Sequence, residues 1–396
     1  MFVIFSLFLL VPFLIIISFL CCQIILGLYA FSSSKTHLPL KGDRKPATIL
    51  IPAHNESLII KETLTQLMKQ ILPCDKVLVI ADNCDDDTAK IAEEFNIEVI
   101  HRHSKENLGK GYALDFGIQH IKHRKNEVII FLDADCKLEN NALDQMSIAV
   151  NKYKCPVQAL YIMQNTEQSN LTQKIAQFAF LIKNHIRPLG LKKLHLSCQL
   201  MGTGMAFPWH LIYKTNLANG SIVEDMKLGI DLTYEGHNIL FLPSAKVTSE
   251  FPTDPTAQAS QRTRWEHGHL DTIKTHVPKL LKLSLKTNNL KCLLFALDLA
   301  IPPLTLLLII IKFLILVFLS IFLFSNDGFY LKLTSPFFIS LFFCILLSWY
   351  TTSRNRFTAS DIKALPKHIL TKSKNLTKFM IKKEKKWIKT KRSKKE

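Results

Sequence analysis

Residues 127–135 read Glu-Val-Ile-Ile-Phe-Leu-Asp-Ala-Asp, and this stretch decides the fold class. Five consecutive apolar residues with a polar residue on each side predict a short strand that is buried on both faces, as in a parallel sheet. Asp133 and Asp135 follow that strand directly, so two carboxylates stand at its carboxyl end. Open α/β sheets bind ligands at this edge, which makes the two aspartates candidate ligand-binding residues.

The same alternation of strand and helix runs upstream of this stretch. Apolar runs predict strands over residues 47–51, 76–81, 97–100 and 127–132. Helical spacing of apolar residues predicts helices over residues 56–70, 88–95 and 111–121. Short buried strands separated by helices indicate a doubly wound parallel sheet, so we expect an α/β domain over residues 46–275.

Two further acidic clusters accompany this pair of aspartates. Asp82 follows the second predicted strand and opens the run Asp82-Asn-Cys-Asp-Asp-Asp-Thr88, and Glu224 and Asp225 open a later predicted helix. Clustered carboxylates suit hard divalent ions such as Mg²⁺ or Mn²⁺, which leave positions open for phosphate oxygens. We interpret residues 85–87 as a solvated helix N-terminus that the helix dipole favours, and Asp82 as the better ligand candidate.

Residues 107–111 read Asn-Leu-Gly-Lys-Gly and precede a predicted helix. Glycines let the backbone approach an anion, and Lys110 adds a point charge, so this loop is a candidate phosphate site. The loop lacks the G-x-x-x-x-G-K-[ST] pattern of a Walker A motif. No G-x-G-x-x-G follows the first strand either, which disfavours a nicotinamide cofactor.

Composition places the chain between soluble and membrane proteins. Its 396 residues are 48% hydrophobic and 21% charged, with a mean hydropathy of +0.16, which excludes an intrinsically disordered chain. The formal net charge of +18 invites a nucleic-acid interpretation, but residues 353–396 alone hold 16 Lys/Arg and 3 Asp/Glu. The charge is therefore mostly that of a basic tail. Nine cysteines without a C-x-x-C pair indicate reduced thiols rather than a zinc site or disulfides.

Three apolar stretches predict membrane spans. Residues 1–31 carry no charge and are long enough to cross about 30 Å of hydrocarbon. A signal peptide is the alternative, but a basic n-region and an A-x-A-like exit are missing, so we interpret residues 1–31 as a retained anchor. Two more spans are predicted over residues 303–324 and 333–352, with an interfacial amphipathic segment over residues 277–302 before them.

Charge distribution predicts the topology of these spans. Lys35, Lys41, Arg44 and Lys45 follow the first span, and the basic tail follows the third. The positive-inside rule then places the α/β domain and the C-terminus in the cytoplasm and the N-terminus outside, in a multi-pass protein of the plasma (bacterial inner) membrane. Lys312 falls within the second span, where it is a functional charge, faces the interior of the bundle, or marks a different helix boundary.

Taken together, the motifs resemble those of family 2 of the glycosyltransferases, inverting enzymes of the GT-A fold, which is Rossmann-like. The residues that carry the resemblance are Ile51-Pro-Ala-His-Asn-Glu56, Asp82-Asn-Cys-Asp85, Gly109-Lys-Gly111, Asp133-Ala-Asp135, Gly202-Thr-Gly204, Glu224-Asp225 and Gln261-Arg-Thr-Arg-Trp265. The last is a Q-x-x-R-W motif. It is similar to that of the membrane-embedded branch, which includes cellulose, chitin, hyaluronan and poly-N-acetylglucosamine synthases and ceramide glucosyltransferases.

The resemblance implies a donor site for a nucleotide-diphosphate sugar, with UDP the family's commonest carrier. Asp82 matches the aspartate at the nucleotide base, and Lys110 matches a basic residue near the nucleotide. The loop under the nucleotide is matched by Pro52, Ala53 and Glu56. Asp133 and Asp135 match the D-x-D that holds Mg²⁺ or Mn²⁺ and the diphosphate.

The resemblance also implies an acceptor site. Asp225 resembles the general base, with Glu224 beside it. Gln261, Arg264 and Trp265 resemble the motif at the acceptor and the diphosphate. Sugar transfer does require these types of group: a carboxylate takes the proton of the incoming hydroxyl, and a guanidinium can bind phosphate through two parallel hydrogen bonds. Trp265 offers a flat face to a sugar ring or, alternatively, is a core tryptophan.

Four positions depart from the pattern of the best-known relatives. His54 stands where many relatives have tyrosine, and Val223 replaces a threonine before Glu224. His267 and His269, which follow the Q-x-x-R-W motif, resemble a bacterial subset of the family. Two histidines two positions apart do not share a helix face, so we expect structural or acceptor-site roles rather than metal ligation.

These features predict transfer of a sugar to a glycan or lipid acceptor at the membrane, in cell-surface polysaccharide synthesis. Two enzymatic alternatives stay open, a processive synthase and a transferase that adds one sugar to a lipid. Three spans are few for an export channel, so a processive enzyme would need an export partner or an oligomer. A non-catalytic protein that binds anionic lipid or nucleic acid through its basic tail is the alternative of a different class. We expect membrane lipids, with anionic lipids at the tail, rather than nucleic acid as partners.

Overall fold

The computed structural model describes residues 2–33, 38–165, 169–252 and 254–364. Most of the predicted basic tail, from residue 365 onward, lies outside the described residues. The described chain forms two units. The sheet unit comprises residues 33–165 and 196–268, and the helical unit comprises residues 2–32, 169–195 and 269–364, with the gaps just given.

Eight strands build the sheet of the sheet unit. They are β1 (Ala47–Ala53), β2 (Lys76–Asp82), β3 (Glu98–Arg102), β4 (Val128–Phe131), β5 (Lys137–Leu138), β6 (Val157–Gln164), β7 (Met205–Pro208) and β8 (Leu240–Glu250). Their order across the sheet is β3-β2-β1-β4-β7-β6-β8-β5. Strands β3, β2, β1 and β4 run parallel, and they are the four strands that the sequence predicts.

The prediction of a wholly parallel sheet is wrong for the other half. β7 is antiparallel to β4 and to β6, and β5 is antiparallel to β8, so the sheet is mixed. The physical reason lies in the connection before β7. The chain turns back through Gly204, at φ +62°, whose N–H donates to the Phe131 carbonyl at 3.0 Å. Apolar periodicity identifies a strand but carries no information on its direction.

Thirteen α-helices are described. They are α1 (Phe2–Phe31), α2 (Ile60–Met68), α3 (Thr88–Glu93), α4 (Lys110–Ile121), α5 (Ala142–Tyr153), α6 (Leu171–Leu181), α7 (Arg187–Lys193), α8 (Trp209–Ile212), α9 (Glu224–Tyr234), α10 (Pro255–Thr287), α11 (Leu290–Ala300), α12 (Leu304–Ser325) and α13 (Phe329–Thr352). A π-helical turn, Ile182–Ile186, joins α6 to α7. The predicted helices over residues 56–70, 88–95 and 111–121 correspond to α2, α3 and α4 with shorter or shifted ends.

The core of the sheet unit consists of central strands with no exposed face. All four residues of β4 are buried, as are all four of β7. Phe131 pairs with Met205 and Phe207 pairs with Ile129, so the two phenylalanines are diagonal neighbours across the strands, with ring centroids 5.1 Å apart. This rigid centre fixes the carboxyl end of β4, from which Asp133 and Asp135 emerge.

In the helical unit, three helices are long and apolar enough to cross a membrane. They cover Leu10–Phe31, Leu304–Ser325 and Phe329–Thr352, where the sequence predicts spans. Before them, α10 runs through Pro278 without a break, so the predicted limits at residues 275 and 277 fall inside one helix. α11 then ends before Pro302 and Pro303, the prolines that we expect to separate the interfacial segment from the second span.

A buried polar cluster joins three helices of the helical unit. Arg187 on α7 donates through Nε to Gln23 Oε1 on α1 at 2.9 Å and through NH2 to Asp298 Oδ1 on α11 at 2.7 Å. Gln23 donates to the same carboxylate oxygen at 2.8 Å. These three side chains are almost fully buried. The segment 169–195, which lies between β6 and β7 in the sequence, is thereby hydrogen-bonded to α1, which precedes the sheet unit in the sequence, and to α11, which follows it.

Candidate active site

The loop after β1 packs against the end of β2. Pro52 and Ala53 are the last residues of β1, and His54 shares a hydrogen bond of 2.7 Å between its Nδ1 and the Asp82 carbonyl oxygen. The backbone N–H of Glu56 donates to Thr88 Oγ1 at 2.8 Å. The imidazole that replaces the tyrosine of many relatives therefore connects the ends of two neighbouring parallel strands.

Asp82 ends β2 as a buried carboxylate with a fixed partner. Arg102 NH1 donates to Asp82 Oδ1 at 2.5 Å, and Arg102 NH2 donates to the Asn107 carbonyl at 2.7 Å. Asn83 Nδ2 donates to the same Asp82 oxygen at 3.1 Å. The guanidinium also lies 5.7 Å from the centroid of the Tyr112 ring. One arginine thus positions both Asp82 and the loop that leads to Lys110.

Sequence reasoning missed Arg102, although a signal was present. Asp82 and Arg102 are directly paired in the parallel register of β2 and β3, each as the last residue of its strand. When one strand ends in arginine and the parallel strand beside it ends in aspartate, the two side chains are therefore expected to form an ion pair.

Lys110 lies among the acidic residues. It is the first residue of α4, after Gly109 at φ +122°, and its Nζ donates to the Gly202 carbonyl at 2.7 Å. The ammonium forms an ion pair with Asp133 and lies 3.8 Å from Glu224 Oε1. Burial opposes the charged form, but the carboxylates of Asp133, Glu224 and Asp225 outweigh it and raise the pKa of Lys110.

Asp133 and Asp135 follow β4, with Cys136 behind them. The N–H of Asp133 donates to Thr203 Oγ1 at 3.1 Å, and the Cys136 thiol donates to Asp135 Oδ1 at 3.3 Å. One potential ligand atom from each of Asp133, Asp135 and Cys136 falls within 4.8 Å of the other two. Burial, with the charges of the two aspartates, raises the pKa of the Cys136 thiol well above its ordinary value. A neutral thiol is a poor ligand, so the donors that fit a hard divalent ion here are the carboxylates.

Glu224 and Asp225 start α9 beside the same lysine. A Cβ atom at Gly202, which has φ +88°, would lie 3.5 Å from Asp225 Oδ2 and 3.8 Å from Lys110 Nζ. Asp225 therefore lies near Lys110, which in turn forms the ion pair with Asp133 of the D-x-D. Burial, opposed by the charge of Lys110 and supported by that of Asp225, raises the pKa of Glu224 to about 7. Glu224 is therefore partly protonated near neutral pH.

Gln261, Arg264 and Trp265 lie on the first half of α10, and all three are half-buried. Their spacing places Arg264 and Trp265 on the same side of the helix as Gln261. A Cβ atom at Gly268 would lie 2.6 Å from Val223 Cγ1, so α10 closely approaches the residue before Glu224. Val223 and the Glu266-His-Gly-His269 segment, which both depart from the pattern of the best-known relatives, are therefore in contact. The Val223 side chain packs so closely against Gly268 that a larger residue at position 268 would not fit.

His269 has a structural environment. It is buried in the helical unit, and its Nε2 hydrogen-bonds to the Leu299 carbonyl at 3.0 Å. Burial, together with the charge of Lys183, lowers the pKa of this imidazole to about 3, so it is neutral and donates to the carbonyl. This favours the structural interpretation of His269 over metal binding.

Comparison with known proteins identifies the sheet unit. A family model described as "Glycosyltransferase like family 2" matches residues 45–268, more than half of the chain and the range that contains every motif quoted above. The chain is 27% identical over 250 residues to the probable glycosyltransferase YdaM of Bacillus subtilis (strain 168), covering 60% of this chain and 59% of that protein. It is 30% identical over 118 residues to 4,4'-diaponeurosporenoate glycosyltransferase of Staphylococcus aureus, covering 29% of this chain and 30% of that protein.

The chain thus matches about three-fifths or less of the length of these curated relatives. Among solved structures, it is similar to the mannosyltransferase PcManGT of Pyrobaculum calidifontis in complex with GDP-Man and Mn²⁺, with a TM-score of 0.44, 15% identity, and coverage of 86% of this chain and 99% of that chain. It is also similar to S. aureus TarS 1-349 in complex with UDP-GlcNAc, with a TM-score of 0.43, 16% identity, and coverage of 60% and 67%. The family match confirms the resemblance, and the α/β sheet preceded by one apolar helix and followed by two confirms the predicted fold class.

Proposed function

From the premise that this chain belongs to glycosyltransferase like family 2, we propose that it is an inverting hexosyltransferase acting at a membrane. It moves a sugar from a nucleotide-diphosphate sugar, UDP-linked in our proposal, to a glycan or lipid acceptor. The observation that carries the proposal is the position of Lys110, in contact with Asp133 and close to Glu224, with Asp225 beside them. Transfer from a diphosphate needs positive charge at the leaving group and a carboxylate base near it, and these residues supply both types of group.

The donor site in this proposal starts at the end of β2. Asp82 binds the nucleotide base, and Pro52, Ala53 and Glu56 form the loop beneath the nucleotide. Support for this comes from Arg102, whose buried ion pair with Asp82 holds that carboxylate in place at the end of β2. A carboxylate accepts hydrogen bonds, so it suits a base edge that donates one, as uracil N3–H does.

The diphosphate lies at the D-x-D in this proposal. Asp133 and Asp135 would hold Mg²⁺ or Mn²⁺, which supplies positive charge to the leaving diphosphate. Lys110 adds a second positive charge at the same position, and Arg264 binds a phosphate through its planar guanidinium. Lys110 is well placed for this role because its Nζ is already fixed by the Gly202 carbonyl at 2.7 Å.

The proton of the incoming hydroxyl goes to Asp225. The acceptor oxygen attacks the anomeric carbon, the bond from that carbon to the diphosphate oxygen breaks, and Asp225 takes the hydroxyl proton. A single displacement with one base inverts the anomeric configuration. Glu224, whose pKa lies near 7, interacts with Lys110 and keeps the charge beside Asp225 low. Gln261 and Trp265 bind the acceptor.

Three helices long enough to cross a membrane support an acceptor that is a lipid or a glycan leaving the cell. Sizing of the product distinguishes the two enzymatic forms of the proposal. A ladder or polymer indicates a processive synthase in cell-surface polysaccharide synthesis, and a single lipid-linked sugar indicates one-step transfer.

The proposal is tested with a panel of labelled nucleotide sugars and membranes that contain the full chain, with Mn²⁺, with Mg²⁺ and with EDTA. The wild type should transfer label from one donor, and Asp225→Asn should reduce transfer at least about 100-fold. Asp231→Asn is the matched control on the same helix, since Asp231 pairs with Lys227 instead. Equal transfer by wild type and Asp225→Asn would refute the assigned base. Transfer from none of the donors would favour the non-catalytic lipid-binding alternative.

A further inference from the structure

The second half of α10 and the start of α11 are strongly basic. Between Asp271 and Asp298 the sequence contains no acidic residue. It contains five lysines, which are Lys274, Lys279, Lys282, Lys286 and Lys291, and all five are exposed. The proposed transfer reaction uses none of them. All lie in the helical unit, which also contains the three apolar helices.

The lysines project away from the protein. Lys279, Lys282 and Lys286 follow the spacing i, i+3, i+7, which forms one stripe along a helix. The buried residues Val277, Leu280 and Ser284 have the same spacing two positions earlier. Two residues are a rotation of about 200°, so the lysine stripe lies on the opposite side of α10 from the packed stripe.

Two large apolar side chains are exposed beside the lysines. Leu285 is 79% exposed and Leu290 is 65% exposed. Leucines next to lysines are typical of a helix surface at the boundary between headgroups and acyl chains, where the ammonium groups meet phosphates and the apolar groups leave water. A helix face that contacted only water would gain nothing from two exposed leucines.

Hydrogen bonds through α11 link α10, the helix that carries the lysine stripe, to a candidate membrane span. Cys292 on α11 hydrogen-bonds through Sγ to the Leu280 carbonyl on α10 at 3.6 Å. At the other end of α11, Asp298 accepts the hydrogen bond from Gln23, which lies within the apolar helix Leu10–Phe31. An 11-residue helix is about 16 Å long, so the end of α10 lies a short distance from that span.

We propose that the face formed by Lys279, Lys282, Lys286 and Leu285 binds the headgroups of anionic phospholipids. Charge complementarity selects the anionic headgroup, because this stretch of the sequence contains five lysines and no acidic residue. Because α11 links this face to the candidate span Leu10–Phe31, the partner we propose is a membrane rather than a nucleic acid or an acidic protein. This binding does not depend on the proposed sugar transfer.

The test uses the full chain with Leu285→Trp in phosphatidylcholine nanodiscs that contain phosphatidylglycerol. Bromine is placed on the acyl chains either of phosphatidylglycerol or of an equal fraction of phosphatidylcholine. The quenching of the introduced indole is obtained by subtracting the signal of the chain that keeps Leu285. We expect brominated phosphatidylglycerol to quench at least about twofold more strongly, because lysines enrich it locally.

Adding Lys279→Gln, Lys282→Gln and Lys286→Gln should bring the ratio of the two quenching values to about one, as should high salt. Replacing the exposed Lys105, Lys122 and Lys125 of the sheet unit by glutamine is the matched control, since it changes net charge equally and should leave the ratio unchanged. Equal quenching by both lipids, or absence of quenching, in the Leu285→Trp chain overturns the proposal. A ratio that persists in the triple variant overturns it as well.

Discussion

Arg102 and Asp82 form a buried ion pair that connects the ends of two neighbouring parallel strands, with Arg102 NH1 2.5 Å from Asp82 Oδ1. Both side chains are at most one-tenth exposed. The second nitrogen of the guanidinium binds the Asn107 carbonyl, just before Lys110. The proposed base-binding residue and the loop of the proposed phosphate-binding residue are therefore held by one side chain.

Arg102→Met should weaken nucleotide binding. It leaves the Asp82 carboxylate buried without its cation, a change that typically costs about 3–5 kcal/mol in stability. We expect the Kd for UDP, measured by calorimetry, to rise at least about tenfold, and Arg102→Lys to restore part of the affinity. Arg124→Met is the matched control, because the Arg124–Glu98 pair is more than one-third exposed and such pairs contribute about 1 kcal/mol or less. UDP binding unchanged in a folded Arg102→Met chain would contradict the role given to Arg102.

Lys110→Met should have opposite effects on metal binding and on transfer. In the protein without donor, the ammonium lies among three carboxylates and opposes any further cation. A unit charge about 4 Å away contributes about 4 kcal/mol at an effective dielectric of 20. We therefore expect Mn²⁺, measured by electron paramagnetic resonance without nucleotide, to bind at least about tenfold more tightly to Lys110→Met. Sugar transfer should fall, because the diphosphate loses a positive charge.

Lys227→Met provides the control for that experiment. Lys227 pairs with Asp231 on α9, so its removal changes net charge equally but should leave Mn²⁺ affinity and transfer close to those of the wild type. Weaker Mn²⁺ binding in Lys110→Met would show that the lysine does not compete with the metal.

How much of the molecule the sequence predicts depends on how local each feature is. The strands that end at Asp82 and before Asp133 are predicted almost to the residue, because an apolar run and the polar group after it are adjacent in the chain. The antiparallel β7 and the partner of Asp82 are not predicted. Both depend on which strands become neighbours in the sheet, and the apolar periodicity of a strand carries no information on its neighbours.

The helical unit shows the same limit. Its three apolar helices follow from uncharged runs alone. The buried hydrogen bond of Gln23 with Asp298 joins residues 275 positions apart, and no local sequence pattern predicts it. For the same reason residues 169–195 read as part of the α/β domain in the sequence, whereas their contacts assign them to the helical unit.

The Arg187–Asp298 pair should stabilise the helical unit only as a complete pair. Arg187→Met or Asp298→Leu alone leaves a buried charge without its partner and should lower the free energy of unfolding by about 3–5 kcal/mol. The double substitution should cost clearly less than the sum, because both charges leave together. Thermal unfolding in detergent measures these differences. Additive losses in the double variant would mean that the two charges act independently.

Gly190→Ala should loosen the contact between α7 and α1. A methyl group at Gly190 would overlap the Gln23 carbonyl oxygen of α1, so the two helix backbones touch at this point. A methyl group at Gly27 of α1 would likewise overlap the carbonyl oxygen of Ile186, the residue just before α7. Backbone cannot move aside as a flexible side chain can, and we expect a loss of about 2 kcal/mol or more in thermal unfolding. At Gly328, in the same unit, the nearest atoms to an added methyl are 3.6–3.7 Å away, so Gly328→Ala should stay within about 0.5 kcal/mol of the wild type. Equal stability of the two variants would mean that α1 and α7 do not pack backbone to backbone.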